Sequence, residues 1–296
     1  MELNLELIKN KKSIQELLEF GIINIDKPSG PTSFNISDFV RKTLNLRKTS
    51  HFGTLDPKVT GVLPIALNRA CKLTSYFLGE NKEYVGIMRI HEDISLEKLK
   101  KTIQKKFLGK IKQTPPLKSR VKRQEREREI YSFELLEKNN KDILFKTKVQ
   151  GGTYIRKLID DLGKELGIGA HMLKLRRISA GIFSENDRTY PSTNLYDFEK
   201  AVENYKNGNE KSLRDIIIPA EIISKIYPLV EIKSENLKQI FTGKPIYNKD
   251  LIKKESFEKQ AKICVFSKEQ FIGIYKVLTQ DDIFAKSEFV MQPIKQ

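Results

Sequence analysis

Apolar residues change period repeatedly along this chain, and no βαβ regularity links the changes. That irregular mixing is the strongest constraint on the fold, because a doubly wound parallel sheet needs strand and helix in strict alternation. Gly21-Ile-Ile-Asn-Ile25 is a short apolar strand running into Asp26-Lys-Pro-Ser-Gly-Pro31, a dense cluster of turn residues. A helix should follow, capped by Thr32 or Ser33, with Phe34, Phe39, Val40 and Leu44 on one face. A loop from Thr49 to Gly61 comes next. Residues 82–91 alternate as a strand and lead to a helix with Leu96, Leu99, Ile103 and Phe107 on one stripe. Residues 130–137 and 142–149 read as a hairpin around Asn139 and Asn140, and 155–167 as a helix ending at Gly167. The expected class is α+β with a mixed sheet. After Tyr227-Pro228 the pattern turns strand-rich, at Leu229–Ile232, Ala261–Phe266 and Phe271–Val277, with a Lys-rich exposed loop expected from Asn248 to Gln260. This divides the chain into a larger α+β body at 1–227, with an amphipathic N-terminal extension over 1–20, and a small β-rich unit at 228–296.

Charge narrows the partner. Lys and Arg number 54 against 38 Asp and Glu, a formal net charge of +16. With 39% hydrophobic residues, 16 Phe and 10 Tyr, the chain has the makings of a core and is no disordered polycation. The excess points to a polyanion, nucleic acid ahead of a membrane surface. It is concentrated: residues 98–128 hold 13 basic and 2 acidic side chains, +11 of the total. Such a run is ordinarily a solvated face. Here Lys118, Arg120, Lys122, Arg123, Arg126 and Arg128 surround Tyr131, and guanidinium forks engage phosphates bidentately and stack on bases, which favours a nucleic-acid surface. Cys71 and Cys264 exclude a disulfide framework and a Cys-rich zinc site, and fit a reducing, cytoplasmic setting. The three His, at 51, 91 and 171, are scattered, so no metal is expected. The first 20 residues lack the apolar run of a signal peptide, and no stretch approaches the roughly 18 apolar residues of a membrane span.

The loop 51–64 holds a carboxylate in an unusual frame. Asp56 precedes a proline, which biases it to extended backbone, and Gly53 and Gly61 permit geometries other residues resist. Asp-Pro alone reads as a turn. The longer string Gly-Thr-Leu-Asp-Pro-Lys-Val-Thr-Gly-Val-Leu-Pro, residues 53–64, resembles the catalytic loop of the TruB/dyskerin group of pseudouridine synthases. Four further blocks are similar to that group and stand in its order: 21–33, Lys82-Glu-Tyr-Val85, Gly152-Thr-Tyr-Ile-Arg156, and 169–183. Gln113-Thr-Pro-Pro-Leu117, Val121-Lys-Arg-Gln124 and Arg89-Ile-His-Glu-Asp93 resemble the dyskerin-like branch rather than the bacterial one, in its compact archaeal form without long Lys-rich tails. Residue 52 is Phe where the group usually has Ser, and the C-terminal unit shows Thr242-Gly-Lys-Pro245 without the glycine-marked turn that usually follows.

The resemblance implies an isomerisation: the uridine N1–C1′ bond breaks, the base turns, and it rejoins through C5. Nothing is oxidised or reduced, so no cofactor is implied. It makes Asp56 the essential carboxylate, nucleophile or base at the sugar, with Arg156 holding it ionised and aimed. It places Tyr84 against the base, its hydroxyl available for the C5 proton. It gives Tyr154 and Leu175 the pocket wall, and Lys27 and His51 contacts to substrate. Read without it, Tyr84, Tyr154 and Leu175 are core residues and Lys27 is solvated. Further implications are a PUA-type C-terminal domain, an H/ACA guide RNA that presents substrate rRNA or tRNA, and small protein subunits that complete the particle. Alternatives are a stand-alone synthase of the tRNA TΨC loop and a catalytically silent RNA-binding scaffold.

Overall fold

A computed structural model describes residues 3–115, 122–280 and 282–293. Ten strands form one mixed sheet: β1 (Gly21–Lys27), β2 (Thr49–His51), β3 (Thr60–Leu67), β4 (Lys82–Ile90), β5 (Gly109–Gln113), β6 (Arg126–Asn139), β7 (Asp142–Val149), β8 (Ala170–Ala180), β9 (Phe183–Ser184) and β10 (Ile217–Pro219). Their order is β10-β1-β3-β8-β4-β7-β6-β5, with β2 added on β3 and β9 on β8. Neighbours run antiparallel except β3 and β8, whose short parallel contact at Thr60–Arg176 and Gly61–Arg177 lies beside the Asp56 loop. The hairpin expected near residue 140 is β6–β7, closing at Asn139 opposite Asp142 with Asn140 at φ 54°. Asn tolerates that left-handed conformation better than most residues.

Eight helices precede the second sheet among the described residues: α1 (Leu5–Lys11), α2 (Ile14–Glu19), α3 (Ser33–Thr43), α4 (Thr74–Leu78), α5 (Leu96–Lys106), α6 (Ile155–Glu165), α7 (Leu195–Lys206) and α8 (Lys211–Ile216). Val40 of α3, Leu99 and Ile103 of α5, Leu158, Ile159 and Leu162 of α6, and Phe198 and Val202 of α7 share one core with Leu63, Ile65 and Leu67 of β3. The alternate β3 residues Val62 and Ala66 face a second core. Strand β3 is therefore covered on both sides, which is why it reads as a continuous apolar run rather than an alternating one.

The α3 face packs on the core at Phe39, Val40 and Leu44 as expected and departs from expectation at Phe34. Thr32 caps it, its side chain accepting from the Asn35 amide. Phe34 points outward, 69% exposed, and the inward residues are Ser33, Ile36, Ser37 and Val40. The two serines are inside because they fasten neighbouring backbone: the Ser37 and Thr49 hydroxyls are bonded at 3.0 Å, and Ser33 reaches the Asp56 loop.

The second sheet has five strands, β11 (Leu229–Glu231), β12 (Ile246–Tyr247), β13 (Lys262–Ser267), β14 (Gln270–Gln280) and β15 (Ile283–Val290), ordered β11-β13-β14-β15-β12. One face encloses Val230, Ile240, Ile263, Val265, Tyr275 and Phe284. The other joins the second core of the main body, where Phe271 stacks on Phe20 with centroids 5.5 Å apart. The N-terminal segment packs on the body: α1 and α2 bury Leu5, Ile8, Ile14 and Leu17, with Ile14 and Leu17 in the main core and Leu5 in the second, and Lys12 pairs with Glu221 at 2.5 Å.

Candidate active site

Asp56 stands at the crest of the loop joining β2 to β3. Leu55 and Val59, on either side of the crest, are each 3% exposed and plug into the main core. Asp56 stays outside, its side chain half exposed. A carboxylate held between two buried neighbours projects from a rigid base, as a reacting group must.

Three side chains pin that base. Ser33 donates to the Leu55 carbonyl at 3.0 Å, and its hydroxyl accepts from the Leu55 amide at 2.8 Å. Lys27 is fully buried, and its ammonium donates to the carbonyls of Pro28, Pro57 and Val59 at 2.8–2.9 Å. The expectation that Lys27 touches substrate is thereby corrected: all three of its protons are spent on backbone, and it clamps the loop from within. Burial lowers its pKa, while the charge of Asp56 above works in the opposite direction. Arg177 is also fully buried. Its Nε donates to the Val62 carbonyl at 2.8 Å and its Nη2 to the Gly53 carbonyl at 3.0 Å, so it bridges the two flanks of the loop. Gly53 has φ 98°, and a Cβ there would lie 3.3 Å from the same guanidinium, so both backbone and space call for glycine. Beneath the loop Phe52 is stacked on Phe77, centroids 4.4 Å apart, with Phe183 at 5.9 Å.

Arg156 arrives from the first turn of α6, its Nη1 3.3 Å from Asp56 Oδ2. The turn before α6 is fixed by close approach: a Cβ on Gly151 would come within 2.9 Å of the carbonyl oxygens of Leu78, Gly79 and Glu80. Tyr154, half-buried at the head of α6, is held by the buried side chain of Gln113, which accepts from its amide at 3.0 Å and donates to its carbonyl at 3.3 Å. Tyr84 on β4 lies directly across the ladder from Arg177 and is 8% exposed. Leu175 is buried in the same core, opposite Gly86, where a Cβ would meet its Cδ1 at 2.9 Å. His51 begins the loop, half-buried, its Nε2 3.2 Å from Thr54 Oγ1. Burial first, and the Arg177 charge second, lower its pKa below 6.5, which keeps the ring neutral at pH 7.

Asp56 and Arg156 are thus brought into contact, His51 shares their loop, and Tyr84 joins through Arg177. Of the basic residues, Lys118 and Arg120 lie outside the described residues. Lys122 and Arg123 are exposed, and Arg126 opens β6. Arg128 leans over Gly152 and donates to the Glu127 carbonyl at 2.7 Å. The sequence reading assigned no site role to Arg177, Gln113 or Lys82, and took Ser33 only as a candidate helix cap. Lys82 donates to the Leu78 and Glu80 carbonyls, and burial lowers its pKa to about 8. Among the described residues no group of three or more His, Cys, Asp or Glu could hold a metal ion, and no helix is long and apolar enough to cross a membrane.

A half-exposed carboxylate paired with a guanidinium, on a large mixed sheet that also carries the buried Tyr84, defines a site for acid–base or nucleophilic work. The model of the TruB pseudouridylate synthase N-terminal domain matches residues 41–155, and that of the tRNA pseudouridylate synthase B C-terminal domain matches 156–224. A relative from Methanocaldococcus jannaschii, named probable tRNA pseudouridine synthase B, is 44% identical over 82% of this chain and 71% of its own. One of the same name from Archaeoglobus fulgidus is 39% identical over 97% of this chain and 88% of its own. Among solved structures, a chain of a Cbf5–Nop10–Gar1 complex superposes with a TM-score of 0.87 at 35% identity, covering 96% of this chain and 89% of that one. A chain of an H/ACA ribonucleoprotein bound to substrate RNA gives 0.86 at 33%, covering 96% and 89%. The chain belongs to the TruB family of pseudouridine synthases and is an RNA-modifying isomerase.

Proposed function

We propose that this chain is the catalytic subunit of a guide-dependent RNA pseudouridine synthase, with Asp56 attacking or deprotonating the sugar of a uridine turned out of its stack. The observation that carries the site is the 3.3 Å approach of Arg156 to a half-exposed Asp56 whose loop is otherwise anchored in the core. The guanidinium pairs with the carboxylate and directs one oxygen. Tyr84 lies along the base and takes the C5 proton, Tyr154 and Leu175 shape the wall, and His51, neutral, faces the nucleotide. Extruding a uridine costs a few kcal/mol, which phosphate contacts from the basic residues around Arg123, Arg126 and Arg128 offset.

Guide dependence is favoured by the likeness, over nearly the whole chain, to chains solved in H/ACA assemblies. In that reading the division near residue 228 separates the catalytic body from a PUA-like unit that holds the guide's ACA end, and small protein subunits complete the particle. The names of the archaeal relatives favour a second reading, a stand-alone synthase acting on tRNA. Release of tritium from 5-tritiated uridine in substrate RNA, measured with and without a pairing H/ACA guide, separates them. Turnover only with guide supports the first reading, and equal turnover on unguided tRNA overturns it in favour of the second.

A further inference from the structure

Arg177 is a fully buried guanidinium with no ion-pair partner among the described residues. Its chain neighbour Arg176 points the other way and is paired twice, bidentately with Asp26 at 2.9 and 3.0 Å and with Glu185 at 2.7 Å. Burying an unpaired cation is expensive by several kcal/mol, and an apolar side chain in its place would avoid that. What Arg177 touches explains its presence. It holds the carbonyls of Gly53 and Val62, which flank the Asp56 loop, and it stands across the β4–β8 ladder from Tyr84, whose phenol oxygen supports its charge. The register shifts between Glu83 and Tyr84, so the pair stands at a bulge, with the β4–β8 ladder continuing on both sides of it. The field of Arg177 also reaches His51 and Lys82.

We propose that Arg177 is a positioning residue that fixes the Tyr84 hydroxyl in register with Asp56, making the loop and the tyrosine strand one rigid unit. The assignment rests on the roles of Asp56 and Tyr84 given above. Rotation of the freed base within the pocket must end with C5, and no other atom, between the sugar carbon and the proton acceptor. A tyrosine free to tilt would lose that alignment, whereas substrate binding, which is spread over the basic surface, would be little changed.

The test is a double-mutant cycle on the full chain with its RNA, reading kcat, KM, RNA affinity and thermal midpoint. Arg177→Met is expected to lower kcat by about thirtyfold while KM and RNA affinity move less than about threefold. In the Tyr84→Phe background the same change should cost less than about threefold, a coupling of about tenfold. Arg177→Lys keeps the charge but not the fork. It should recover folding, with kcat between the two, and it serves as the cycle's partner should Arg177→Met fail to fold. Full additivity, or wild-type kcat in the Arg177 variants, overturns the proposal alone when Tyr84→Phe is itself slow. Wild-type turnover in Tyr84→Phe removes the tyrosine's role, and the proposal with it.

Discussion

Cations beneath the Asp56 loop and cations on residues 98–128 do opposite work. Lys27 and Arg177 are wholly buried and donate to backbone carbonyls. Lys101, Lys110 and Lys112 face solvent and pair with Glu97, Glu127 and Glu125 at 2.7, 3.0 and 3.4 Å. Each carries one unit of charge, and a count along the sequence treats them alike. Exposed pairs of this kind contribute little, and their charges exchange readily for phosphate. Buried cations cannot be exchanged for anything. The comparison teaches that the basic excess has two origins in this molecule, one that builds the site and one that is free to meet RNA.

Perturbing the buried set should have the larger effects. Phe52→Ser, which removes the ring stacked on Phe77 and leaves a hydroxyl in an aromatic cluster, is expected to destabilise by about 4 kcal/mol, read as a lower urea midpoint. Lys27→Met orphans three carbonyls and should cost about 3 kcal/mol on the same measurement, with the loop loosened and turnover falling alongside. Were its RNA affinity lost while stability stayed intact, Lys27 would be a substrate contact after all. Arg156→Met leaves the fold alone, being half exposed, but should lower kcat about a hundredfold. Reversing Lys122, Arg123 and Arg126 together should leave single-turnover chemistry unchanged at saturating RNA, weaken binding, and flatten the salt slope by about one per lost phosphate contact. A pH dependence is expected as well. Burial lowers Lys82 from 10.5 to about 8. Between those values the unfolded chain holds a proton the folded chain lacks, so stability rises with pH across that window. Lys82→Met should remove that rise, as followed by thermal midpoints at pH 8 and pH 10.

Much of this was legible in the sequence, for local reasons. The helix 155–167 shows its stripe of Ile155, Leu158, Ile159 and Leu162, and the hairpin at Asn140 follows from residue type. Asp56, Tyr84 and Arg156 stood out by resemblance, and the structure brings the first and last together. Strand β3 was hidden because Gly61 and Pro64 argue against a strand, and only burial on both faces overrides them. On α3 only Phe34 was misread, because the hydrogen bonds of Ser33 and Ser37 orient the first turns of the helix. Lys27 was placed in solvent or against substrate because a loop lysine carries no sign of burial, and Arg177 was not placed at all: period two puts Arg176 and Arg177 on opposite faces of β8, but only the assembled sheet decides which turns inward. Strand β12, two residues at the edge of the second sheet, and β15, which lies between it and β14, went unread in the sequence.

Asp56→Asn is nearly isosteric and touches none of the loop's anchors, so it isolates the charge on which the account rests. Uridine isomerisation by this variant should fall by about a thousandfold or more, with RNA affinity within about twofold of the parent and an unchanged thermal midpoint. Isomerisation at the parent rate would contradict the account.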